Sequence, residues 1–108
     1  MSKGLVISDN AAKVPHMKEF YPLLEDEILD ELVSALRTDV RFPLIRRVVG
    51  EYYDDAVIHA DEVRRLIEEI KTFIHEKRLS QPTRKCLQTI MTLTRKADPQ
   101  SSLFFVAD

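Results

Sequence analysis

Glu51, Asp55, His59 and Glu62 come nearest, by type and spacing, to a set of groups that could do chemistry. They lie four, four and three residues apart. On a helix they share one flank, within an arc of roughly 80°. Carboxylates and an imidazole at such spacing are ligands for a divalent metal, and in helical bundles a facing helix supplies the matching half of the site. No Glu-x-x-His segment stands elsewhere in the chain to supply that half. Carboxylates bordering an apolar stripe are also the ordinary solvated edge of a helix, so no metal site is expected, and these four residues are the candidates if a metal binds. No cofactor is expected.

Other reactive side chains lack company. His16 falls in a loop-like stretch and His75 on a polar helical face, neither with a triad partner in view. Ser34, Ser80 and Cys86 carry no local nucleophile signature. The residues therefore point away from an enzyme. Basic doublets occur at Arg46-Arg47, Arg64-Arg65, Arg84-Lys85 and Arg95-Lys96, but Glu51, Asp61, Glu62, Glu68 and Glu69 intervene. Acids three or four residues from bases, as Asp61 is from Arg64 and Arg65, suit surface ion pairs rather than a phosphate-binding face. The formal net charge of −2, from 16 basic and 18 acidic residues, gives no general attraction for nucleic acid or an acidic membrane.

The elements that must position these groups are organised by the stretch from Val48 to Ile74. Apolar residues recur there in steps of four and three, at Val49, Tyr53, Ala56, Ala60, Val63, Ile67, Ile70 and Ile74. A second register runs beside them at Tyr52, His59, Leu66 and Phe73. This spacing predicts an amphipathic helix. Extended back to Pro43 and forward to Arg78, it is a rod of about 35 residues and about 50 Å. Gly50 sits inside it at a cost of about 1 kcal/mol relative to alanine, and a kink near Gly50 or Ala60 is a way to shorten it.

Shorter helices are predicted on either side. One runs from about Pro22 to Arg37 and buries Leu24, Ile28, Leu29, Leu32, Val33 and Leu36. The other starts at Ser80 as N-cap, with Pro82 in its first turn, and buries Cys86, Leu87, Ile90, Met91, Leu93 and Ala97. The expected fold is all-α: one domain over residues 1–108, a three-helix, largely antiparallel bundle around a long central helix. Residues 1–13 and 99–108 form an apolar arm and tail. Leu5-Val6-Ile7 and Leu103-Phe104-Phe105-Val106 are β-prone, and the two segments lie over the helices as straps or pair as short strands.

The central stripe is broader than two half-length helices can cover. An uncovered apolar patch marks an interaction surface. The functional reading is a small, non-enzymatic protein–protein interaction module, an adaptor, inhibitor or immunity-type protein. It binds a protein partner or a second copy of itself through Tyr52, His59, Leu66, Phe73, Phe104 and Phe105. The alternatives are a metal-binding bundle or metal-dependent enzyme using the Glu51–Glu62 flank, and a nucleic-acid-associated regulator. A lone cysteine fits a reducing compartment, and no apolar run approaches a membrane span. The expected location is the cytoplasm.

Overall fold

The computed structural model describes residues 2–8, 21–50 and 55–107. In chain order they form β1 (Ser2–Ser8), β2 (Tyr21–Glu25), α1 (Asp26–Leu36), α2 (Pro43–Val49), β3 (Ala56–Ile58), a 3-10 turn (Ala60–Glu62), α3 (Val63–Glu76), α4 (Gln81–Lys96) and β4 (Ser102–Ala107). The four strands make one antiparallel sheet in the order β2-β1-β4-β3. The fold is thus mixed α and β, which corrects the expectation of an all-α, three-helix bundle.

The 50 Å rod does not form. The longest dimension of the molecule is 36 Å. α2 stops at Val49 because Gly50 takes φ +45, in the left-handed region that glycine enters without a Cβ penalty. A Cβ there would also meet Arg47 O at 3.3 Å. Beyond it Ala56-Val57-Ile58 is a strand, with Ala56 and Ile58 buried and Val57 half-buried. Over so short a window the two-residue alternation of a strand is hard to tell from the three-four spacing of a helix. The helix predicted from Pro22 likewise begins later, at Asp26, and Pro22 stands in edge strand β2, where proline is tolerated.

The two chain segments read as β-prone become the middle of the sheet. Leu5 pairs with Phe105, Val6 with Phe104 and Ile7 with Leu103. One face of the sheet carries Leu5, Leu24, Ala56, Ile58, Leu103 and Phe105 into a single core with all four helices. The helices contribute Leu29, Leu32, Ile45, Val48, Leu66, Ile70, Phe73, Leu87 and Ile90 among others. Phe42 and Phe73 meet edge to face, with centroids 5.1 Å apart, the geometry favoured by aromatic quadrupoles. Val6 and Phe104 point to the opposite face of the sheet and are also buried.

Charged side chains hold the helix ends. Lys3, fully buried on β1, donates from Nζ to Val48 O at 3.1 Å and Val49 O at 2.7 Å, at the C-terminus of α2. Glu69, buried on α3, accepts from Leu44 N and Ile45 N at the N-terminus of the same helix. Both signs match the helix dipole. Glu31 of α1 accepts from Ser80 N and Ser80 Oγ, at 2.8 and 2.6 Å, and from Thr83 Oγ1, capping α4 from outside. Ser80 is the N-cap of α4 and Pro82 lies in its first turn, as the sequence predicts.

Candidate docking groove

The stripe that was to carry binding is divided by this fold. Leu66 and Phe73 of α3 and Phe105 of β4 are buried in the core, and Phe104 lies on the other side of the sheet. Tyr52 and Glu51 lie outside the described residues. His59 is exposed at the start of the 3-10 turn.

The proposed metal flank is also pulled apart, because residues 55–62 are not helical as a unit. Asp55 Oδ1 accepts from Ala107 N at 2.9 Å and ties the start of β3 to the end of β4. Glu62 Oε1 accepts from Arg47 NH1 at 2.6 Å and from His59 N at 3.1 Å, closing the 3-10 turn. The Arg47 hydrogen bond, then the His59 amide, hold the Glu62 carboxyl below its ordinary range, and Glu62 in turn raises the Arg47 guanidinium. Among the described residues no three His, Cys, Asp or Glu side chains come together as a metal site.

The stripe stays partly open at its Val63–Ile67 step, as it does at Ala60 and Ile74. Val63 and Ile67 are only partly buried, and they floor a groove of about 560 Å³ between the start of α3 and the end of α4. One wall is Ala60, Asp61, Arg64 and Glu68; the other is Thr94, Arg95, Ala97 and Pro99. Val63 packs against the main core, whereas Ile67 lies outside that cluster.

Both walls are fixed from behind. Ala60 N donates to Ser102 Oγ at 3.2 Å, and Arg47 reaches Glu62, so β4 and α2 anchor the turn that leads into α3. On the other wall Thr94, nearly buried, donates to Ile90 O at 2.7 Å. α4 ends at Ala97, whose N–H returns to Thr94 O at 3.2 Å, and Asp98 Oδ1 and its carbonyl accept from Gln100 N and Ser101 N. The groove is therefore a preformed feature between capped elements.

Its rim cations belong, with Arg37, Arg78, Lys85 and Lys96, to the exposed cations that form no ion pair among the described residues. Arg41, Arg47, Arg65, Lys71 and Lys77 all form ion pairs within the chain. Arg46 donates to Leu36 O and Asp39 O at the end of α1. Arg64 and Arg95, on opposite rims of the groove, are exposed and form no ion pair among the described residues. Asp61 does not take up the pairing with Arg64 or Arg65 that its spacing suggests; Arg65 reaches Glu69 instead, at 3.9 Å.

A second opening, at the centre of the molecule, has a different character. It is lined by Leu24, Leu32, Ile45, Val48, Leu66, Ile70, Leu87, Ile90 and Phe105, and its volume of about 10 Å³ holds no more than one water-sized sphere. With no polar group on its walls it is a packing gap.

Val63 and Ile67 stand within the predicted stripe and Arg64 and Arg95 within basic doublets, but spacing alone joins none of them into the groove. The spacing shows which residues share a helical face. It does not show that α4 ends beside the first turns of α3. No protein-family model, curated protein or solved structure matches this chain. Among the described residues, no helix is long and apolar enough to cross a membrane.

Proposed function

We propose that this chain is a non-enzymatic protein-interaction module whose docking surface is the groove between α3 and α4. The observation that carries the reading is Ile67: a branched aliphatic side chain outside the main core, flooring an open groove with an exposed arginine on each rim, Arg64 and Arg95. Apolar floors with polar, charged rims are the usual anatomy of protein interfaces. The lone Cys86, buried and free of disulfide, supports a cytoplasmic site of action.

The test is in-cell photocrosslinking with a photoreactive residue at position 67, and a control at Val40. Val40 is 84% exposed and sits beside Asp39, which bonds Lys77 at the opposite end of α3. Protein adducts at position 67 well above those at position 40, abolished by Arg64→Ala with Arg95→Ala, are expected. Equal yields at the two positions exclude the groove as a docking surface.

A further inference from the structure

We infer that the occupant of the groove is a second copy of this chain, with α3 of one copy antiparallel to α3 of the other about a two-fold axis level with Leu66. The inference rests on the groove being a protein-docking surface, and it names the partner.

The argument is charge complementarity within one short stretch. Asp61, Arg64, Glu68 and Lys71 are all exposed. Arg64, Glu68 and Lys71 share an arc of about 60° on α3, and Asp61 precedes them in the 3-10 turn and lines the same groove. Their signs alternate along the chain: minus, plus, minus, plus. Arg64 and Glu68 stand two residues either side of Leu66, and Asp61 and Lys71 five residues either side. A two-fold axis at that level carries Arg64 onto Glu68 of the second copy and Asp61 onto its Lys71. All four cross-pairs are then opposite in sign. A two-fold interface must be self-complementary in this way, because each residue meets the image of another from the same patch.

The apolar part of the groove agrees with this arrangement. Ile67 lies one residue from the axis, so the two Ile67 side chains meet near the centre, where interface energy concentrates. Val63 flanks them. Within one chain Lys71 and Glu68 are 3.5 Å apart, an exposed pair half or more open to solvent, which is weak enough to rearrange on docking. α3, with 14 residues, is about 21 Å long. A contact of that length with the end of α4 is at the small end of specific interfaces, so the dimer is dissociable and its population follows concentration.

The experiment is sedimentation velocity over a broad concentration series on the full chain, with R64E, E68R and their equimolar mixture. All substitutions are at exposed positions, and circular dichroism monitors the fold. The wild type is expected to pass from monomer to dimer. R64E alone places like charges at both Arg64–Glu68 contacts, as does E68R, and each is expected to raise the dissociation constant by at least about tenfold. The mixture restores opposite signs at both contacts in the heterodimer and is expected to dimerise as the wild type does.

A wild type that stays monomeric, single variants that dimerise undiminished, or a mixture that fails to recover overturns the inference. The crosslink at position 67 separates the two readings. An adduct of twice the chain mass supports self-docking. An adduct with a different protein overturns self-docking and leaves the groove as a docking surface. No adduct removes both.

Discussion

Glu69 on α3 accepts from the backbone N–H of Leu44, with its two carboxylate oxygens at 2.9 and 3.3 Å, and so caps a helix 25 residues away in the chain. Phe42 stands at the N-cap position of α2 and has no side-chain acceptor to offer. Glu69 takes that part, also receiving Ile45 N at 3.1 Å. Glu69→Ala leaves two buried N–H groups without their acceptor. It is expected to cost about 2–3 kcal/mol in urea unfolding, while Glu69→Gln, which keeps an oxygen in place, costs about 1 kcal/mol. Equal losses for the two variants would rule out capping as the role of Glu69.

Lys3 does the reverse at the other end of α2. Its ammonium is fully buried and donates to the carbonyls of Val48 and Val49. Lys3→Met preserves the length of the aliphatic stem and removes the donors. The expected loss is about 2–3 kcal/mol, because buried acceptors lose their bonds. Backbone hydrogen exchange is expected to rise first at Val49 and Gly50, whose N–H groups close the last turn of the helix. A uniform rise across the protein would argue instead for a global effect.

Cys86 sits inside the core on α4, and burial, aided by the nearby charge of Glu25, pushes its thiol up to about 12. The thiolate is the reactive form, so the native protein is expected to resist thiol reagents at pH 8 and to react at a rate set by unfolding. Labelling followed across a urea series checks this. Rapid labelling in the absence of denaturant would contradict it.

Asp39, in the link between α1 and α2, accepts from the Arg41 guanidinium and backbone N–H and from Lys77 Nζ at 2.9 Å. The Arg41 hydrogen bonds, then that of Lys77, hold its carboxyl far below its ordinary value of 3.8. A carboxylate whose pKa falls on folding stabilises the native state above its unfolded value. It loses that contribution as the pH drops below 3.8 toward the folded value. Asp39→Asn is expected to lower the melting temperature at pH 7 and to lose less stability than the wild type on acidification below pH 4. Parallel curves for the two proteins would exclude Asp39 as a source of acid sensitivity.

The parts of the fold that were legible in the sequence are those settled by local rules. α4 begins where Ser80 and Pro82 say it should and ends at its basic pair, because capping and proline geometry act within one turn. Leu5–Ile7 and Leu103–Val106 were readable as β-prone, and their pairing was open as an alternative to straps. The central break was not legible. Val48 to Ile74 keeps helical spacing through Gly50 and through Ala56–Ile58, and only the surrounding sheet gives β3 a partner that repays leaving the helix. The candidate site was half legible for the same reason. The chemistry of Arg64, Ile67 and Glu68 can be read from α3 alone, while the opposite wall at Thr94–Pro99 reaches it through the packing of α3 on α4.

The two innermost strands of the sheet come from opposite ends of the described chain, with Lys3 beside Ala107 and Ser8 beside Ser102. During synthesis β1 precedes β4 by nearly a hundred residues, and until β4 is made β1 has only β2 beside it in this sheet. Leu5 and Phe105, paired across this seam, can meet in the apolar interior only once both strands are present. A ribosome stalled before Ser102 would present an open sheet edge, a natural substrate for holding chaperones.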